Sequence, residues 1–356
     1  MSEESDAAYT RRALRLAARA AGRTSPNPMV GAIVVADDRI IGEGYHHAAG
    51  EPHAEVNALA KAGAGARGAT LYVTLEPCVH HGRTPPCVDA VRQAGIARVV
   101  AAMRDPDPRN DGRGIRALRA AGIEVTEGVL REEAERLNAG FISRVTRGRP
   151  HVLVKMATTL DGRAAVKGRR YLSGKPALRE VHKLRDRFDA VLVGVGTVIA
   201  DDPALTVREI RGRDPLRVIV DTDARTPANA KVVRAKDPQR TMIFVARDAD
   251  ARRTNRLRDA GVLLATVPRA DGGLDLGAVL RWLGENGVNT VLSEAGPRVA
   301  GALVRAKLAD RLLLLLSPIA GGEGPPAFDG VAGAADLHDV RVRRLGDDVA
   351  VEGTLA

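Results

Sequence analysis

The chain has 356 residues, more than a single hydrophobic core usually supports, so two domains are expected. Its net charge is +10, nearly all of it from arginine, yet the arginines are spread among Asp and Glu and only 3% of residues are aromatic. That pattern argues for an Arg-rich solvated surface and against a nucleic-acid partner. The polar, acidic opening "MSEESDAAYT" is no secretory signal, and the leucine run at 312–316 is far too short to span a bilayer, so a cytoplasmic protein with no membrane partner is expected.

In chain order, a β run at "AIVVAD" precedes "HAEVNALAKA", a predicted helix that opens on His53 and carries Glu55 in its first turn, with "AKAGAGARGA" as its Gly/Ala-rich exit. The segment "ATLYVTLEPC" predicts a strand over 69–74 and a turn at Pro77, which places Cys78 beyond the strand's C-terminal end. The segment "TPPCVDAVRQAG" predicts a helix with Pro86 near its first turn and Gly95 past its end. Cys87 then stands at a helix N-terminus, where the dipole favours thiolate. Further β and helical runs, "ARVVAAM" and "IRALRAAG", complete a three-layer α/β pattern up to a boundary near residue 146, giving domains 1–146 and 147–356.

A lone cysteine pair is a poor disulfide framework, and five of the eight histidines fall in the same early region. Zinc takes thiolate and imidazole ligands in a tetrahedron, and a catalytic zinc keeps three protein ligands with one open position. His53, Cys78 and Cys87 would supply the three, and Glu55 would relay a proton between the activated water and a leaving amine. H-x-E followed by P-C…C is the pattern of zinc nucleobase deaminases, with one departure: two residues usually separate the cysteines, and here eight do, "VHHGRTPP". The bland alternatives are a capping His53, a Glu55 that merely favours the helix dipole, and a structural zinc completed by His80 or His81.

Past Gly148 and Pro150 the second half alternates strands ("HVLVKMATTLDGR", "AVLVG", "LRVIVD", "TMIFVA", "NTVLSEAG", "RLLLLLS") with helices ("PALREVHKLRDR", "LGAVLRWLGE", "PRVAGALVRA"). "GVGTVI" has Ile199 where a dinucleotide fingerprint needs its third glycine, so it is weak. "SEAGPRVAGALV" is stronger: a Gly-Pro turn enters a helix whose first turn holds Pro297 and Arg298, so free amides and a cation would face a phosphate.

The runs "TSPNPMVGAIVV", "GEGYHHAAGEPHAEVNAL", "TLYVTLEPCVHHGRTPPC" and "RDPDPRNDGRG" resemble the deaminase half of the bifunctional riboflavin-biosynthesis deaminase/reductase family, whose own cysteine spacing is eight residues. "KMATTLDGRAA", "GVGTVIADDPALTVR" and "EAGPRVAGAL" resemble its reductase half, with little specific beyond residue 302. The resemblance implies a cytidine-deaminase-like α/β/α domain followed by a dihydrofolate-reductase-like α/β domain, one zinc ion and NADPH. It makes His53, Cys78 and Cys87 zinc ligands, Glu55 the proton shuttle, and Asn27, His46 and Arg83 substrate contacts. It places Ala157, Thr197, Asp201, Thr222, Gly296, Pro297, Arg298, Val299, Ala300, Gly301 and Ala302 around NADPH, and Arg185, Leu205, Arg208 and Glu294 around substrate. The family carries Ser-x-Trp where this chain has Arg169 and Tyr171; the tyrosine can stack on cofactor as tryptophan would, while the arginine would offer substrate a cation instead.

The implied function is deamination of 2,5-diamino-6-(5-phosphoribosylamino)pyrimidin-4(3H)-one and then NADPH-dependent reduction of its ribosyl chain to ribityl, by a homo-oligomeric, cytoplasmic enzyme with a small-molecule substrate. Two rivals are a deaminase of tRNA or free nucleobases, which the cysteine spacing disfavours, and a nucleic-acid-binding module with a structural zinc, which the net charge motivates.

Overall fold

The computed structural model describes residues 3–80, 85–169, 171–270, 272–321 and 324–355. It divides into two compact units, Met1–Gly148 and Arg149–Ala356. Helix continues to Arg147 and stops on Gly148, a left-handed cap (φ 67°) that only glycine adopts without strain, so the join falls after this cap rather than at 146.

The first unit comprises α1 (Glu3–Ala17), β1 (Gly31–Ala36), β2 (Arg39–Tyr45), α2 (Ala54–Ala62), β3 (Thr70–Val73), α3 (Cys87–Gln93), β4 (Arg98–Ala101), α4 (Arg113–Ala120), β5 (Glu124–Glu127), α5 (Arg131–Leu137) and α6 (Ala139–Arg147). Its sheet runs β2-β1-β3-β4-β5, antiparallel in the β2-β1-β3 half and parallel from β3 to β5. Alternate residues feed two cores. Ile33, Val35, Tyr72 and Val100 meet Ala13 and Leu16 of α1, whereas Val34, Leu71, Val73 and Val99 meet α2, α3 and α4. Three layers result from that period-two alternation.

The second unit comprises β6 (His151–Thr158), α7 (Lys175–Arg187), β7 (Ala190–Gly194), α8 (Val195–Asp201), β8 (Leu216–Val220), β9 (Thr241–Ala246), α9 (Ala251–Asp259), β10 (Leu263–Val267), β11 (Arg269–Ala270), β12 (Gly273–Leu274), α10 (Leu276–Glu285), β13 (Thr290–Ser293), α11 (Pro297–Arg305), β14 (Arg311–Leu316), β15 (Leu337–Leu345) and β16 (Asp348–Leu355). Its nine-stranded sheet runs β10-β9-β8-β7-β13-β6-β14-β16-β15; β10 through β14 are parallel, and the last two strands pair antiparallel. Strands buried on both faces read as unbroken apolar runs, which is why "AVLVG", buried at every position, sits inside this sheet. Helices α10 and α11 cover one face and α7, α8 and α9 the other. Among the described residues no helix is long and apolar enough to cross a membrane.

Candidate metal centre and reductase cleft

His53 is the N-cap of α2 and makes no side-chain cap hydrogen bond, so its ring turns away from the helix end. Gly42 and Gly44 of β2 let α2 press onto the sheet: a Cβ on Gly44 would stand 2.6 Å from the Ala54 carbonyl, and one on Gly42 2.2 Å from that of Ala58. This close approach fixes where His53 and Glu55 stand. Cys78 follows β3, and Cys87 is the first residue of α3, as the turn signals predict.

His53 Nδ1 lies 3.2 Å from Cys87 Sγ and 3.6 Å from Cys78 Sγ, and the three ligand atoms fall within 4.8 Å of one another. Tetrahedral zinc with ordinary Zn–N and Zn–S lengths separates a nitrogen from a sulfur ligand by about 3.6 Å, so the triad fits that ion. His80 is not part of this cluster, and His81 lies outside the described residues.

The electrostatics agree with a site built for a cation. A hydrogen bond from Cys87 brings the Cys78 thiol down to about 4, and the same bond, with burial, pushes Cys87 up. The hydrogen bond to Cys78 raises His53 despite its burial. Glu55, buried in the first turn of α2, is pushed up to about 7 by burial and by the neighbouring Cys78 charge. A bound dication would oppose that rise.

His53, Glu55 and Cys78 open onto a cavity of about 390 Å³ that Asn27, His46 and His80 also line, with Cys87 buried behind them. Burial lowers the pKa of His46 below the usual imidazole value. Arg83, expected as a phosphate contact, lies outside the described residues. Sequence reasoning assigned no role to Asp105, Asp107 and Arg109 of the "RDPDPRN" run, yet all three line this cavity. They are held there by Glu76, whose buried carboxylate accepts the backbone N–H groups of Asp105 (3.1 Å), Gly112 (2.9 Å), Gly114 (2.7 Å) and Ile115 (3.1 Å). Asn110 closes the link by accepting from Val79 N, one residue past Cys78. Burial pushes the Asp105 carboxyl up to about 6.

In the second unit, most of the expected cofactor and substrate residues gather at the C-terminal ends of the neighbouring parallel strands β8, β7, β13 and β6. Open α/β sheets bind their ligands at that edge. Ala157 is near the end of β6, Thr197 and Asp201 lie on α8 after β7, Thr222 follows β8, and Glu294 and Gly296 follow β13. A Cβ on Gly194 would meet Val299 at 3.0 Å and one on Gly296 would meet Thr197 at 3.6 Å, so the two strand-to-helix turns touch. Gly296 caps α11 without a side-chain bond, with Pro297 and the exposed Arg298 in the first turn. Ala300 and Gly301 face inward instead: Ala300 is core, and a Cβ on Gly301 would lie 2.1 Å from the Asp329 carbonyl. Val299 and Ala302 are half-buried.

Arg185 is not the solvated helix position it resembles in sequence. Its guanidinium forms a buried bidentate pair with Glu294 (2.6 and 2.9 Å) and donates to the Thr206 carbonyl. Glu294 is raised by burial but lowered further by Arg185 and Lys155, ending below the usual carboxylate value. Lys155 was not singled out from sequence; it stands among alternating apolar residues of β6, and burial lowers its pKa beside Glu294 and Arg185. Leu205 is buried at φ 53°, and Arg208 donates its backbone N–H to His182 and its guanidinium to Thr206. Arg169 and Tyr171 are both exposed, away from the strand-end cluster in sequence, on the segment between β6 and α7.

A zinc-type deaminase fold joined in one chain to a nicotinamide-type reductase fold is the class these units define. The family model described as the cytidine and deoxycytidylate deaminase zinc-binding region matches residues 3–103, and that of the RibD C-terminal domain matches 150–351. The riboflavin biosynthesis proteins RibD of Escherichia coli (strain K12) and Aquifex aeolicus (strain VF5) are each 41% identical, over 97% and 99% of this chain and 98% and 99% of theirs. The solved structure of Acinetobacter baumannii RibD superposes with a TM-score of 0.90 at 35% identity, covering 100% of both chains. The Thermotoga maritima structure described as a diaminohydroxyphosphoribosylaminopyrimidine deaminase/5-amino-6-(5-phosphoribosylamino)uracil reductase gives 0.87 at 36% identity over 99% of both. The chain belongs to the RibD family: a cytidine-deaminase-like domain followed by a dihydrofolate-reductase-like one.

Proposed function

We propose that this chain deaminates 2,5-diamino-6-(5-phosphoribosylamino)pyrimidin-4(3H)-one to 5-amino-6-(5-phosphoribosylamino)uracil and then, with NADPH, reduces the ribosyl chain to ribityl. The observation that carries the reading is the convergence of His53, Cys78 and Cys87 on one point beside a cavity that His53, Cys78 and buried Glu55 line, in the same chain as a parallel-sheet edge with a bare helix N-terminus. His53, Cys78 and Cys87 would hold zinc, which when bound supplies Lewis acidity that makes water a nucleophile near neutral pH. Glu55, buried at the cavity wall, would accept a proton from the attacking water and return it to the departing amine. Asn27, His46 and Asp105 orient the pyrimidine, and Arg109 faces its phosphoribosyl end; the resemblance adds Arg83 as a contact, outside the described residues.

In the reductase unit NADPH supplies hydride, and the α11 amides with Arg298 receive its phosphates, beside Ala157, Thr197, Asp201 and Thr222. The Arg185–Glu294 pair presents the ribose with a fixed acceptor, and Lys155 and Arg208 supply cations. Most of the rate comes from positioning.

The finer expectations stand as part of the same reading. Exposed Val340 and Val342 on the edge strand β15 support a homo-oligomer. Two free thiols serving as ligands suit the reducing cytoplasm. The many arginine–carboxylate pairs at the surface favour a small-molecule substrate over nucleic acid. Mass-spectrometric analysis of products with and without NADPH tests the central claim: the deaminated pyrimidine should form without cofactor and its ribityl form only with it. No deamination by zinc-replete protein would sink it.

A further inference from the structure

Residues 202–215 join α8 to β8 with no helix or strand of their own, yet they include Leu205 and Arg208, two of the residues set around the reductase substrate. Such a loop must find partners for its backbone groups outside any ladder, and helix α7 supplies two of them. Arg185 donates to the Thr206 carbonyl at 2.9 Å, and Nδ1 of His182 accepts the backbone N–H of Arg208, also at 2.9 Å. Positions 182 and 185 are three apart on one helix, so both side chains leave the same face, and both are buried. Asp214 adds a third anchor by accepting the N–H of Val207 at 2.7 Å, and the Arg208 guanidinium donates to Thr206 Oγ1 at 2.9 Å. Leu205 is held at φ 53°, a left-handed conformation that a leucine keeps only where its surroundings fix it.

A backbone N–H only donates, so Nδ1 of His182 presents a lone pair and the ring proton is on Nε2. The ring must be neutral to make this bond. Protonated, it would set a donor against the Arg208 N–H and a cation beside Arg185 and Arg208. Burial lowers its pKa and those two guanidinium groups lower it further, while Glu294, after β13, and Glu209, in the loop, oppose them. The contribution of the imidazole is therefore whole above its unfolded value of about 6.5 and is lost as pH falls through the lower folded value.

We propose that His182 is a positioning residue of the reductase: by accepting the Arg208 backbone N–H it holds the 202–215 loop in the conformation that sets Leu205 and Arg208 against the nucleotide substrate. It acts through the loop rather than by contact with the substrate. The proposal rests on the reductase reading above and adds to it the residue that keeps the substrate loop in place.

The test uses the zinc-loaded full chain reducing supplied 5-amino-6-(5-phosphoribosylamino)uracil with NADPH. His182→Phe keeps a ring and removes the acceptor; His182→Leu takes its place if the phenylalanine variant does not fold. KM for the nucleotide should rise about 10-fold, the effect of a backbone N–H left without its acceptor, with kcat, KM for NADPH and the deaminase rate each within about 2-fold of the parent. His182→Asn, whose Oδ1 can stand near the place of Nδ1 and does not titrate, should recover most of the loss. From about pH 8 down to about pH 5 the KM of the parent should climb more steeply than that of His182→Asn. The substrate phosphate titrates in the same range, but equally for both proteins, so the ratio of the two isolates the imidazole. An unchanged KM in the variant without an acceptor, an asparagine variant as impaired as that one, or a constant ratio across the pH range would each overturn the proposal. So would a joint loss of kcat, NADPH affinity and nucleotide affinity, which marks a residue that supports the whole unit. A parent that does not reduce the nucleotide sinks the reductase reading beneath; a parent that reduces it while the variant without an acceptor keeps its KM sinks this inference alone.

Discussion

Glu55 carries proton transfer in this reading because its carboxyl, pushed up to about 7, gains or loses a proton with a small change in nearby charge. Glu55→Gln keeps the side chain's volume and leaves the three ligand atoms in place. Zinc content should stay constant while deaminase kcat falls about 10²- to 10⁴-fold, the range of a lost general acid-base. Reduction of supplied 5-amino-6-(5-phosphoribosylamino)uracil should be unchanged. Metal analysis beside kinetics checks this, and undiminished deamination would move proton transfer to another group. The ligands and Glu55 are legible in sequence because their chemistry dictates residue type and each stands near a turn or helix start. Asp105, Asp107 and Arg109 are not, since their place depends on four backbone N–H groups converging on Glu76 across about 30 to 40 residues of chain. The Arg185–Glu294 pair is equally hidden: 109 residues separate its members, and no local pattern marks a helix arginine as buried.

At the scale of elements, glycines and one carboxylate decide the docking. Gly44→Ala would force a Cβ to 2.6 Å from both the Ala54 carbonyl and the Ala58 nitrogen, lifting the end of α2 that carries His53. Overpacking of this kind costs about 1–3 kcal/mol. Zinc affinity should therefore fall with stability, which competition against a chelating dye would measure; an unchanged affinity would show that α2 yields without moving His53. In the second unit Asp310 ties three strands. Its carboxylate accepts from Arg149 and from Val152 N, its backbone N–H donates to Val152 O, and its carbonyl accepts from Leu355 N. Burial raises this carboxyl, and Arg149 and its other donors more than offset that, so its pKa is lowered in the fold. A depressed carboxylate stabilises fully above its unfolded pKa, about 3.9, and loses that contribution as pH falls through the lower folded value. The thermal midpoint of the second unit should therefore fall off below about pH 4. Asp310→Asn should cost roughly 3 kcal/mol near neutrality, having removed the carboxylate that pairs with the largely buried Arg149, and should flatten that acid branch. A parallel acid branch in the variant would place the titrating group elsewhere. Strand and helix runs such as 190–194 and 276–285 are readable from apolar periodicity, whereas the polar edge strand β15, exposed along most of its length, carries no such signal.

Across the whole molecule, each unit closes its own hydrophobic clusters: residues below 149 form two of them and residues above it form three. The metal ligands all belong to the first unit and the strand-end cleft to the second, so removing the metal should act on one activity only. Stripping zinc with a strong chelator should abolish deamination, while reduction of the supplied deaminated nucleotide with NADPH continues at its former rate. Binding to the folded state alone stabilises by about 4 kcal/mol when the ligand is a thousandfold above its dissociation constant. In a domain of this size each kcal/mol moves the midpoint about 2–4 °C. Calorimetry should therefore resolve two transitions, of which one drops by roughly 10 °C on chelation and returns with added zinc, while the other stays put. NADPH should raise the second transition and leave the first, since the residues proposed to hold it all belong to the second unit. If chelation lowers both transitions together, or stops reduction as well as deamination, the two units unfold as one cooperative body and the division of labour between them is not independent in energy, whatever the separation of their cores.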